Sequence, residues 1–157
     1  MKNVSKLLTR SMLLIAMSML LFAKVGWSQT YIQIGEGTTS YAHPFYAYYA
    51  DNRDQIIYYA TQMAGLSAGP ITKIAFNFTT TTGYTMNNFT LSMANTTNTN
   101  VGVGFIPTTN IYYRATESHP GVSGWHTYTL DVPFVWDGTS NIVLQFCHDN
   151  SDYDYFI

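Results

Sequence analysis

Residues 71–78 read ITKIAFNF, and this stretch decides the fold class. Its apolar side chains Ile74, Phe76 and Phe78 recur at every second position, with polar or small residues between them. A two-residue period places alternate side chains on opposite faces of a strand. The stretch therefore predicts a β-strand with one face in the core and one face in water.

Other stretches alternate in the same way or are rich in β-forming residues, and we predict strands there too: residues 31–34, 55–61, 88–94, 111–116, 125–130 and 142–146. Residues that favour turns separate them. We expect a turn at 51–54, a loop at 63–70 and a strand break at Pro133, because proline lacks the backbone donor. About six to eight short strands without a convincing helix indicate an all-β fold, an antiparallel, jelly-roll-like β-sandwich.

The two ends of the chain carry further predictions. At the N-terminus, three basic residues precede an uncharged apolar run, 12–22, and a small-x-small triplet ends at Ser28. This is the plan of a secretory signal peptide, so we predict cleavage after Ser28. The run is shorter than the about 20 apolar residues of a spanning helix, although an uncleaved anchoring helix is the alternative. Residues 153–157 read as the start of a strand, which predicts a fragment that lacks its last strand or strands.

Residues 29–157 are predicted to form a single exported β-sandwich domain without a membrane span. Three basic residues stand against nine acidic ones in it, a net charge of −6. Such a surface repels phosphate backbones, which argues against nucleic acid as a partner. Cys147 is the only cysteine, so no disulfide can form within the chain. Its thiol is expected to pack in the core or at an edge rather than to act as a nucleophile.

A series of motifs supports a family resemblance: IGEGTT at 34–39, PFY at 44–46, QIIY at 55–58, ITKIAF at 71–76, GWHTYTL at 124–130 and PFVWDGTSNIVL at 133–144. In this order they resemble β-sandwich modules of large secreted and surface proteins of Bacteroidota bacteria. Those proteins often carry fibronectin type III-like or adhesin-like domains and a type IX secretion sorting domain. The resemblance implies a cell-surface location and an adhesin-like role, and it lends no catalytic residues.

Aromatic residues supply the candidate ligand-binding site: Tyr41, His43, Tyr46, Tyr48, Tyr49, Trp125 and Trp136. Flat rings stack on the apolar faces of sugars or on partner side chains, and tyrosine adds a hydroxyl for hydrogen bonding. The alternative is that these rings fill the core or cover a sheet edge, as aromatic residues on strands commonly do.

Acidic residues near the end of the sequence suggest a metal site. Asp149, Asp152 and Asp154 lie within six residues, and calcium binds oxygen ligands from such loops. The alternative is a solvated acidic turn. Zinc is not expected, because the histidines lack the spacing of zinc ligands.

These observations predict a non-catalytic extracytoplasmic module for adhesion or for carbohydrate or protein binding, secreted or at the bacterial cell surface. A structural spacer of a larger secreted protein is the alternative. A small secreted hydrolase ranks last, because Glu36 and Glu117 are the only glutamates that could pair for sugar hydrolysis. No cofactor other than calcium is expected.

Overall fold

The computed structural model of the protein describes residues 29–36, 44–45, 48–79, 83–102 and 104–152. These residues form six strands and one turn of 3₁₀ helix. The strands are β1 (Asp51–Tyr58), β2 (Gly69–Phe78), β3 (Thr85–Thr96), β4 (Thr109–Ser118), β5 (Gly124–Trp136) and β6 (Asn141–Asp149), and the 3₁₀ helix is Ala60–Met63. The predicted strand over 153–157 lies outside the described residues.

The strands form two antiparallel sheets. A four-stranded sheet has the order β1-β6-β3-β4, and a two-stranded sheet pairs β2 with β5. The prediction of an all-β, antiparallel fold is confirmed. The jelly-roll detail stays a prediction.

The core lies between the two sheets, where their aromatic rings meet. The ring centroids of Phe76 in β2 and Phe146 in β6 are 5.3 Å apart. Those of Tyr128 in β5 and Phe89 in β3 are 5.9 Å apart. Phe45, which precedes β1, packs against rings of both sheets. Face-to-face packing of two antiparallel sheets is the arrangement of a β-sandwich.

Strand β2 has the faces that its sequence predicts. Phe78 is buried and Ile74 and Phe76 are half-buried, whereas Lys73, Ala75 and Asn77 are exposed. The alternating stretches 88–94 and 125–130 likewise fall within β3 and β5. Apolar side chains of all three strands belong to the core.

The predicted turn at 51–54 is wrong, because these residues begin strand β1. Asp51 pairs with Asp149, and the ladder to β6 continues to Tyr58. Within the four-stranded sheet β1 lies at the edge, where polar residues are tolerated and discourage pairing with another chain. The Asn52 amide donates to the backbone oxygen of Pro44 over 3.0 Å, which fixes the start of the strand.

Strand β5 runs through Pro133, where a break was predicted. The ladder between β5 and β2 is interrupted instead: residues 130–133 stand opposite Thr72 alone. A proline in such a bulge removes no ladder hydrogen bond, so the strand continues.

Two shorter predictions also need correction. Residues 31–34 form no strand in the structure, although Ile32 and Ile34 pack against the core. The strand predicted to reach Thr61 ends at Tyr58. A 3₁₀ turn follows, in which Gln62 Oε1 accepts the backbone N–H of Tyr59 over 2.8 Å.

Candidate functional site

The outer face of the four-stranded sheet is covered over part of its area. Ser92, Val143 and Gln145 point away from the core between the sheets, yet all three are buried. Gln55 on β1 holds a covering segment, residues 97–102 and 104–108: its Nε2 donates to the Ile106 carbonyl over 2.6 Å, and its Oε1 accepts the Ile106 N–H over 2.8 Å. We call this surface the covered face.

The outer face of the two-stranded sheet is exposed, and we call it the bare face. Its side chains come from cross-strand pairs of β2 and β5, and all of them are exposed: Lys73 with Thr129, Ala75 with Thr127, and Asn77 with Trp125. Only Trp125 is large and aromatic. The others are small, polar or flexible, and they leave the indole 58% exposed.

The two tryptophans of the candidate site have opposite environments. Trp125 is 58% exposed and Trp136 is 3% exposed. The Trp136 indole N–H donates to the Ser140 carbonyl over 2.8 Å, within the turn after β5. Asp137 closes that turn by accepting the backbone N–H groups of Thr139 and Ser140. The structure therefore places Trp136 in the core and leaves Trp125 as the tryptophan available for stacking.

The aromatic patch before β1 is described only in part. Tyr41, His43 and Tyr46 lie outside the described residues. Tyr48 and Tyr49 are exposed, and their rings meet edge to face with centroids 5.2 Å apart.

The topology brings this tyrosine pair and Trp125 to the same end of the sandwich. The tyrosines precede β1, and Trp125 lies at the start of β5. Asn150, which follows β6, donates its amide to the Thr85 carbonyl at the start of β3 over 3.0 Å. His119, which follows β4, packs on Phe78 at the end of β2 with ring centroids 4.7 Å apart. Tyr48 and Tyr49 are far from Trp125 in the sequence, and the fold brings them to one end of the molecule.

The predicted calcium ligands gain no support from the described residues. Asp149 and Asp152 are exposed, and Asp154 lies outside the described ranges. Between them, Asn150 uses its side chain on backbone groups of β3, so it is not directed at a metal. No group of three or more His, Cys, Asp or Glu side chains in the described ranges could hold a metal ion.

Three charged side chains of β4 and β5 have structural roles. Asp131 accepts the backbone N–H of Tyr113 on β4 over 2.9 Å and forms an ion pair with Arg114 at 2.9 Å. These contacts, the backbone hydrogen bond first, lower the pKa of Asp131. Glu117 accepts a hydrogen bond from the Tyr112 hydroxyl. Burial is the largest cause that raises the pKa of Tyr112, and the hydrogen bond to Glu117 and the negative charge of its carboxylate raise it further.

Sequence reasoning missed a guanidinium cluster on the covered face. The Arg53 guanidinium carbon lies 4.1 Å from the ring centroid of Phe105, and its Nε donates to Gln145 Oε1 over 3.0 Å. The three residues are far apart in the chain and form no motif, so only the fold brings them together.

No protein-family model, curated protein or solved structure matches the chain. In the described ranges, no helix has the length and hydrophobicity that crossing a membrane requires.

Proposed function

We propose that the protein is an exported, non-catalytic β-sandwich module that binds carbohydrate on its bare face and so mediates adhesion at the cell surface. The observation that carries the proposal is Trp125, a 58% exposed indole on an otherwise small and polar sheet surface.

The chemistry of the indole supports a sugar as the ligand. An exposed tryptophan leaves apolar area in water, and covering that area contributes roughly 25 cal/mol per Å². The axial C–H groups of a pyranose present an apolar face that can cover an aromatic ring. The hydroxyls at the edge of the sugar ring stay available for hydrogen bonds. An exposed sheet face allows a sugar to approach the indole without a deep pocket.

Polar neighbours supply the hydrogen bonds that such a sugar needs. Asn77 stands opposite Trp125, and Thr127 and Thr129 follow on the same face. At about 3.3 Å per residue, Thr129 lies roughly 13 Å along the strand from Trp125. An oligosaccharide laid along β5 would meet an aromatic platform, two hydroxyls and, opposite Thr129, the Lys73 ammonium.

A catalytic role has weaker support than a binding role. Hydrolysis of a sugar needs two carboxyl groups facing one bond. Two of the described acids are engaged: Glu117 is hydrogen-bonded to Tyr112, and Asp131 is paired with Arg114. These contacts assign both carboxylates to structural tasks.

Binding is tested with a glycan array followed by calorimetric titration of the best glycan. Trp125→Ala is expected to weaken binding by about tenfold or more, and Trp125→Phe by less, because a smaller ring still stacks. Val132→Ala is the matched control, since Val132 has the same exposed fraction, 58%. If no glycan binds at millimolar concentration, or if Trp125→Ala binds as the wild type does, the carbohydrate proposal fails and the spacer role takes its place.

Export rests on the signal peptide predicted over residues 1–28. We expect the protein recovered from outside the cytoplasm to begin at or near Gln29. N-terminal sequencing checks this, and recovery of the chain only from the cytosol with Met1 in place would contradict it.

A further inference from the structure

We propose a second ligand site, for a sugar that carries a carboxylate, in the cleft beside Arg53 on the covered face. The cleft is open and has a volume of about 230 Å³. Its lining residues are Arg53, Asp54, Gln55, Val101, Gly104 and Phe105. It lies on the other sheet from Trp125, so this inference does not depend on the proposed function.

The structure holds the guanidinium of Arg53 in place from two sides. Its face rests on the Phe105 ring at 4.1 Å, and its Nε donates to Gln145 Oε1. The same Gln145 oxygen accepts Gln55 Nε2 over 2.9 Å, and Gln55 anchors the segment that carries Phe105. A guanidinium fixed in this way loses little side-chain entropy when a ligand binds.

The terminal amino groups of Arg53 are available for a ligand. A guanidinium has five N–H donors, and only the Nε donor has a partner among the described residues. Its four remaining donors form a planar fork that matches the two oxygens of a carboxylate. The other described arginine, Arg114, instead donates from Nη1 to both carboxylate oxygens of Asp131.

The neighbouring Phe105 favours a sugar acid over an acidic peptide. The Phe105 ring is 53% exposed, so part of it stays open for stacking against a sugar ring. A guanidinium fork beside an open aromatic ring therefore fits a carboxylate carried on a sugar ring, as in a uronic acid residue.

The test compares trigalacturonate with its methyl ester, which keeps the rings and removes the charges. Calorimetric titration of the purified protein is expected to show binding of the acid and binding of the ester weaker by about tenfold or more. Added salt should weaken binding of the acid, because the contact is ionic and near the surface.

Variants locate the bound sugar. Arg53→Gln should lose about tenfold or more in affinity, and Arg53→Lys should lose part of it, since lysine keeps the charge without the planar fork. Arg114→Gln is the control and should bind the acid as the wild type does, and Trp125→Ala tests whether the acid binds on the bare face instead. Thermal unfolding of each variant shows whether a loss of binding reflects a loss of fold.

Several results would overturn the proposal: no binding of trigalacturonate, equal binding of its ester, or unchanged binding by Arg53→Gln. Triglutamate that binds as tightly as trigalacturonate would assign the cleft to an acidic peptide instead. Loss of binding in Trp125→Ala would move the sugar acid to the bare face. The results for the ester, for triglutamate and for Arg53→Gln do not bear on whether a neutral glycan binds at Trp125.

Discussion

The outer faces of the two sheets differ in what covers them. On the covered face, Gln55 ties a long segment to the sheet through both atoms of its amide, and Val143 behind it is fully buried. On the bare face, Ala75, Thr127 and Trp125 are all exposed. A covered face contributes to stability through its burial and hydrogen bonds. A bare face contributes little, so a large ring exposed there calls for a different explanation, which we propose is ligand binding.

The tryptophans give the largest expected contrast. Trp136→Ala should lower the free energy of unfolding by about 3–5 kcal/mol, because it opens a cavity in the core and removes the hydrogen bond to Ser140. Trp125→Ala should change it by less than about 0.5 kcal/mol. Urea unfolding of both variants measures the difference. Equal losses would mean that Trp125 also packs, and the bare face would then not be bare.

The glutamine clamp gives the next contrast. Gln55→Ala should cost about 2 kcal/mol, since the backbone N–H and carbonyl of Ile106 lose their partners in a buried setting. Limited proteolysis should then cut within 97–108 at lower protease concentration. Thr127→Ala on the bare face is the matched control and should leave both the unfolding curve and the cleavage pattern unchanged. If the covering segment resists proteolysis in the Gln55→Ala variant, contacts other than those of Gln55 hold it on the sheet.

A buried histidine between the sheets gives the smallest effect, a dependence on pH. His119 stacks on Tyr84 with ring centroids 4.7 Å apart and meets Phe78 edge to face. Burial, and then the charge of His126, lower the pKa of His119 below its usual 6.5. The unfolded chain therefore takes up a proton before the folded protein does as the pH falls through about 6.5. Stability is complete above that pH and falls below it.

Urea unfolding at about pH 7.5 and about pH 5 measures this fall. His119→Phe should reduce it, because phenylalanine fits an aromatic environment and does not titrate. This pH range lies above the pH at which Asp137 takes up a proton, since hydrogen bonds from Ser140 and Thr139 lower the pKa of Asp137 to about 2. An undiminished fall in His119→Phe would assign the dependence to another group.

The same comparison explains how much the sequence predicts. Strand β2 has one face in the core and one in water, so its alternating pattern predicted both its position and its faces. Strand β6 is buried on both faces from Ile142 to Phe146. The alternation of Ile142, Leu144 and Phe146 predicted a strand there, but it gave no sign that Gln145 between them would be covered.

Polar residues account for the main error in the predicted strands, the turn at 51–54. Residues 51–54 looked like a turn because Asp and Asn favour turns, yet backbone pairing with β6 outweighs that preference at a sheet edge. Of the candidate site, exposed Trp125 and buried Trp136 had equal support in the sequence, since each is an aromatic residue next to a turn. The Arg53 cluster could not be predicted, because its members lie 52 and 40 positions apart in the chain.

The most direct test of the bare face is nuclear magnetic resonance of the indole N–H groups of the tryptophans, with the tightest glycan from the array added stepwise. The account predicts that the Trp125 resonance shifts in a saturable way, while the Trp136 resonance, held by Ser140 inside the core, stays in place. A glycan that binds without moving the Trp125 resonance would contradict it.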